Sequence, residues 1–104
     1  MLDNFAAIAD PTRREIISML AERERTVNEI AAAFEISRPA ISKHLRVLRA
    51  AGLVVEEKQG RQHIQRFTGA ALQPVANWVN TYEAFWDRKL AALKSQIEQA
   101  EDDQ

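Results

Sequence analysis

The sequence has no cysteine among its 104 residues. Disulfides, thiolate metal centres, cysteine redox switches and a cysteine nucleophile are therefore excluded together. Glycine and proline number only three each, and turns or helix ends account for all three glycines, so no glycine-rich phosphate loop is present. His44 and His63 are the only imidazoles. Neither falls in a nucleophile–base–orienter pattern, and an enzyme is not expected. No apolar run reaches membrane-spanning length. The opening MLDNFAAIADPTRRE lacks the charged-then-apolar layout of a secretory signal, which leads us to expect a cytoplasmic protein. Apolar and charged fractions of 46% and 28% are ordinary for one soluble globular domain of this length. A formal net charge of −1 excludes a generic polyanion binder, so any nucleic-acid binding must come from a local patch.

One local absence stands out against that acidic average. Residues 36–55, ISRPAISKHLRVLRAAGLVV, contain no Asp or Glu but carry Arg38, Lys43, Arg46 and Arg49. The excess positive charge is concentrated there.

Most of the chain reads helical. Residues 2–9 are a short apolar-rich start. Asp10-Pro11 has the form of an N-cap followed by Pro at the first helical position. The helix it opens turns Ile16, Ile17 and Leu20 inward and fades in ERER at residues 22–25. Thr26-Val27-Asn28-Glu29 is a capping-box pattern. Val27, Ile30, Ala31 and Phe34 follow at the spacing of one helical face. After the very short connection Glu35-Ile36, Ser37 caps a helix with Pro39 in its first turn, running to Ala51 with Gly52 as its C′ residue. Two helices joined so tightly make a helix-turn-helix. Residues 53–59 are rich in β-formers, Gly60-Arg61 forms a turn, and residues 62–68 pair back as a hairpin. The alternation of that second strand is imperfect, since Ile64 and Phe67 fall on opposite faces. One long helical pattern covers about residues 70–99, and the tail from Glu101 is expected to fray.

At about 100° per residue, Arg38, Arg49, Ser42, Arg46, Pro39 and Lys43 fall within one arc of about 140°. Ile41, Leu45 and Leu48 lie across from them, with His44 at the flank. A solvated helix face ordinarily mixes signs to gain i,i+4 pairs; this one does not. Ser37, Pro39 and Ser42 are short and sit toward the N-terminus, where a recognition helix needs room to approach base edges. The helix N-terminus itself favours phosphate. These features point to duplex DNA, where carboxylates would repel the backbone.

Three stretches, DPTRREIISML, TVNEIAAAFEISRPAISKHLRVLRAAGLV and GRQHIQRF, resemble the winged-helix repressors of the ArsR family. The likeness covers most of the chain, and SRPAISKHLRVLRAAGLV is specific to that family among helix-turn-helix proteins. It implies a mainly α, winged helix-turn-helix fold of about five helices with a small β-hairpin wing. It further implies a homodimer and repression by operator binding, with the helix from Ser37 in the major groove and the hairpin tip near Gly60 on flanking DNA. On this reading Arg38 and Lys43 read bases, with Ser42 contributing less and Pro39 beside them. Ser37, Arg46 and Arg49 hold phosphates. Lys58, Arg61 and His63 belong to the wing, while His44 is a packed, hydrogen-bonded residue.

Many ArsR-like proteins sense metal through Cys pairs before the recognition helix, or through Asp and His on the last helix. The first set has no counterpart in a chain without Cys. The last helix offers Glu83 and Asp87 but no His, a poor set for a transition metal. Neither a metal nor another cofactor is expected. The effector stays open between a small apolar ligand and none at all.

The last helix carries a stripe of Leu72, Val75, Val79, Tyr82, Trp86, Leu90, Leu93 and Ile97, widened by Trp78 and Phe85. With Leu2, Phe5 and Ile8 this apolar arc forms a dimer interface, where aromatics are favoured; the alternative is that Trp78 and Phe85 cover the domain's own core. Two recognition helices about 34 Å apart would enter successive major grooves of a palindromic operator. The competing function is a protein-interaction module whose basic face meets an acidic partner.

Overall fold

In the computed structural model, which describes residues 4–102, Asp10 opens the first long helix as its spacing predicts. Its carboxylate accepts from the Arg13 backbone N–H at 3.1 Å, and Pro11 occupies the first turn, where its missing N–H costs nothing. The described residues form two units, one running to Gln73 and one beginning at Pro74.

In the first unit, a one-turn helix α1 (Asn4–Ala7) is followed by α2 (Pro11–Glu22). The Arg13 side chain reaches back to the last carbonyls of α1, donating Nε–H to Ala7 O at 2.6 Å. Asn4 Nδ2 donates to the Ala71 carbonyl, which ties the same helix to a distant part of the unit. A two-residue strand β1 (Arg25–Thr26) leads into α3 (Val27–Ala32). The capping box is complete: Thr26 Oγ1 accepts from Glu29 N at 3.1 Å, and Glu29 Oε1 accepts from Thr26 N at 3.2 Å. The helix stops two residues short of Phe34, which packs from the turn against the core.

Helix α4 (Arg38–Ala50) begins at Ser37, whose Oγ accepts from Ala40 N at 3.3 Å. It ends in a Schellman motif, with Gly52 at φ +78° donating to Arg49 O and Leu53 donating to Leu48 O. Strands β2 (Val54–Gln59) and β3 (Gln62–Phe67) follow as a hairpin. Its two-residue turn has positive φ only at Gly60, +62°, as a type II′ turn requires. The sheet order is β1-β3-β2, antiparallel throughout, with Gln65 facing Arg25 on one side and Glu56 on the other. Ile64 and Gln65 are both buried. Neighbouring residues point to opposite faces, so both faces of β3 are covered at this level, and that is why its alternation reads as imperfect.

The core joins Ala7, Ile16, Leu20, Ile30, Ile41, Leu45, Leu48, Leu53 and Val54. Four helices and the start of β2 thus meet on their apolar faces. Burying Ile41, Leu45 and Leu48 fixes the rotation of α4, and its opposite face is turned outward.

Residues 69–72 form a short 3-10 turn (Gly69–Leu72) rather than the start of the last helix, and Leu72 packs against the core. Helix α5 (Gln73–Asp102) makes up the second unit from Pro74. Glu101 and Asp102 are helical instead of frayed, and residues 103–104 lie outside the described residues. Among the described residues, no helix is long and apolar enough to cross a membrane.

Candidate nucleic-acid interface

The rotation of α4 decides which side chains the solvent meets. Arg38, Pro39, Lys43 and Arg46 are exposed, Ser42 is half-buried, and the capping residue Ser37 is exposed at the helix start. No acidic residue interrupts this face. On the wing, Lys58, Arg61 and His63 are exposed as well. A groove of about 190 Å³ runs between α4 and the wing, with Arg38, Ser42, Arg49, Glu56 and His63 along its walls. A smaller hollow of about 80 Å³ adjoins Thr26, Asn28, Arg38, Arg61 and His63. Arg38 lines both. The fold therefore brings Arg38, Ser42, Arg61 and His63 around one concave surface, whereas Lys43, Arg46 and Lys58 line neither concavity.

Arg49 has a different environment from the other cations of α4. Its Nη1–H donates to Gln65 Oε1 at 3.0 Å, and its guanidinium lies 4.0 Å from Glu56 Oε1. Gln65 Nε2 donates to the same Glu56 oxygen at 2.9 Å, and His63 Nδ1 stands 3.3 Å from it. The Glu56 carboxyl is held below the ordinary glutamate range, first by the Gln65 hydrogen bond and then by the charges of Arg49 and His63, against partial burial that raises it. Sequence reasoning missed Glu56 and Gln65. A glutamate in a strand of mixed polarity reads as solvated, and only the register brings it opposite Gln65.

His44 is half-buried, with Nδ1 3.3 Å from Arg13 Nη1, in keeping with a packed, hydrogen-bonded role. On α5, Glu83 and Asp87 are exposed. Among the described residues, no three His, Cys, Asp or Glu side chains cluster as metal ligands would.

Taken by itself, α5 displays an unusual run of large apolar side chains. Trp78, Val79, Tyr82, Phe85, Trp86, Leu90, Leu93 and Ile97 are all exposed, Trp86 and Leu90 at 58% and 59%. The rings pack along the helix, Trp78 against Tyr82 with centroids 4.7 Å apart and Phe85 edge-on to Trp86 at 5.6 Å. In the first unit Phe5 is exposed, but Ile8 is half-buried and packs against the core. Leu2 lies outside the described residues.

A tight helix pair, an outward second helix and a hairpin beside it define a winged helix-turn-helix protein. Residues 10–56 match the model of the bacterial regulatory protein, arsR family. The transcriptional repressor SdpR of Bacillus subtilis is 37% identical over 75 residues, covering 72% of this chain and 83% of SdpR. An ArsR-like transcriptional regulator from Rhodococcus sp. RHA1 superposes with a TM-score of 0.70 at 41% identity, covering 91% of this chain and 87% of that one. The homodimeric winged helix-turn-helix DNA-binding domain Mb0332 from Mycobacterium bovis is also similar, with a TM-score of 0.57 at 30% identity over 81% of this chain and 75% of that one. The chain belongs to the ArsR family, and its function is DNA-binding transcriptional regulation.

Proposed function

We propose that the chain is a homodimeric repressor that lays α4 in the major groove of a palindromic operator. The observation that carries this reading is the acid-free outer face of α4, exposed beside a wing that adds Lys58, Arg61 and His63. Arg38 reads a base with its guanidinium fork, for which guanine O6 and N7 are the best match. Lys43 is the second base reader, and Ser42 and Pro39 keep the helix start narrow enough to approach. Ser37 and Arg46 hold phosphates, which set register without reading sequence. The wing tip, Lys58 with Arg61 and His63, meets the flanking DNA.

Dimerisation supplies the second half-site. The exposed aromatic and aliphatic face of α5 supports it, with Phe5 adding apolar surface on the first unit, as does the homodimer formed by Mb0332. Repression is supported by the likeness to SdpR, and the site of action is the bacterial cytoplasm, where operators lie. A hydroxyl-radical footprint on DNA upstream of the gene tests the arrangement. Two protected patches about one helical turn apart on one face of the duplex are expected. Protection of a single patch, or of none, overturns the dimeric reading.

A further inference from the structure

The Arg49–Gln65–Glu56 chain crosses from the recognition helix to the wing, and its chemistry admits one kind of residue at the centre. Arginine carries only donors and an ionised carboxylate only acceptors. Gln65 offers both from one planar amide, so its orientation is forced: Oε1 accepts a hydrogen bond from Arg49 and Nε2 donates one to Glu56. The amide is fully buried, and no buried side-chain N or O among the described residues lacks a partner. The direct Arg49–Glu56 pair, at 4.0 Å, stands at the outer limit of an ion pair. Gln65 closes that gap.

We propose that Gln65 is a positioning residue that locks the wing to α4, so that groove helix and hairpin meet DNA as one rigid unit. Arg49 is then spent inward, on the wing, rather than on a phosphate. Two features of the fold support this assignment. Gln65 sits in the central strand, paired with Arg25 of β1 and Glu56 of β2, so a force on its amide reaches the whole sheet. Arg49 leaves the last turn of α4, just before the Schellman motif fixes that helix end. Both ends of the link are therefore held, and the hairpin tip at Gly60 lies farther along the same strands. The effect on operator affinity rests on the DNA-binding roles proposed above; the geometric effect does not.

The test exchanges donor and acceptor. Gln65→Glu keeps shape and the Arg49 bond but sets a second carboxylate against Glu56. Adding Glu56→Gln restores one donor and one acceptor, with the partners reversed. Residual dipolar couplings of the DNA-free protein report the angle between α4 and the hairpin, and fluorescence anisotropy reports operator affinity. We expect Gln65→Glu to shift the couplings of residues 54–67 against those of 38–50. Operator binding should weaken about tenfold, the scale of one misplaced charge-assisted contact, and the double exchange should return both to wild-type values. Unchanged couplings in Gln65→Glu, or a double exchange no better than the single variant, overturn the proposal. Should Gln65→Glu fail to fold, Arg49→Met breaks the link from the half-exposed helix side, and the same shift in couplings is required of it. If the couplings shift as expected while wild-type protein binds operator and scrambled duplex alike, the lock stands and the DNA-binding roles fall.

Discussion

At the residue scale, Arg38 is the cation of α4 that, with His63 of the wing, lines both concavities between them. Arg38→Ala is expected to cost about 1–3 kcal/mol of operator affinity and to relax preference at one base pair per half-site. A base-substitution profile of the operator reads this, and an unchanged profile removes Arg38 from the readers. Arg46→Ala should instead weaken all sequences alike and flatten the salt dependence by about one contact. Glu56 sets a different expectation, about pH. Its folded-state pKa lies below the ordinary value of 4.5, so it contributes stability that is present above that value and is lost as pH falls through the lowered one. Urea midpoints of wild type and Glu56→Gln should therefore differ near neutrality and converge in acid. Arg38 was legible in the sequence because helical periodicity alone turns it outward. The link through Glu56 and Gln65 was not, because it joins residues 9 and 16 positions apart through strand register.

At the scale of elements, the caps and turns hold the site in place. Ser37 orients the first turn of α4 through its bond to Ala40 N. Ser37→Ala should cost about 1 kcal/mol of stability by denaturant unfolding. Gly52 adopts φ +78°, while its nearest neighbour, Ala71 Cβ, lies 4.0 Å from where a Cβ would stand. Gly52→Ala is thus resisted by backbone conformation and not by crowding, and about 1–2 kcal/mol of destabilisation is expected. These elements were readable because each has a local signature: Asp10-Pro11, the Thr26 box, Ser37 and Gly52. Strand β1 was not, since its two residues, the last of a charged run and a capping threonine, carry no period. The 3-10 turn before α5 escaped for a related reason. Its residues, Gly69–Leu72, continue the apolar pattern of the helix without its geometry.

At the scale of the whole molecule, the chain presents two surfaces of opposite character: a cationic face built by α4 and the wing, and an apolar face along α5. The second predicts assembly. Trp86→Ala or Phe85→Ala should shift sedimentation toward monomer at micromolar concentration, and a wild-type monomer under those conditions contradicts the dimer. The broad stripe on α5 was visible in the sequence as more apolar surface than one small core needs. Of the N-terminal residues expected to widen an interface, Phe5 is exposed, Ile8 is half-buried against the core, and Leu2 lies outside the described residues. The first surface carries sequence-specific recognition of duplex DNA. Fluorescence anisotropy against DNA from upstream of the gene and against a scrambled duplex, across a salt series, tests it most directly. Tight binding to the first duplex alone is expected, with log affinity falling steeply and linearly against log salt. Equal, weak binding to both, little changed by salt, would contradict it.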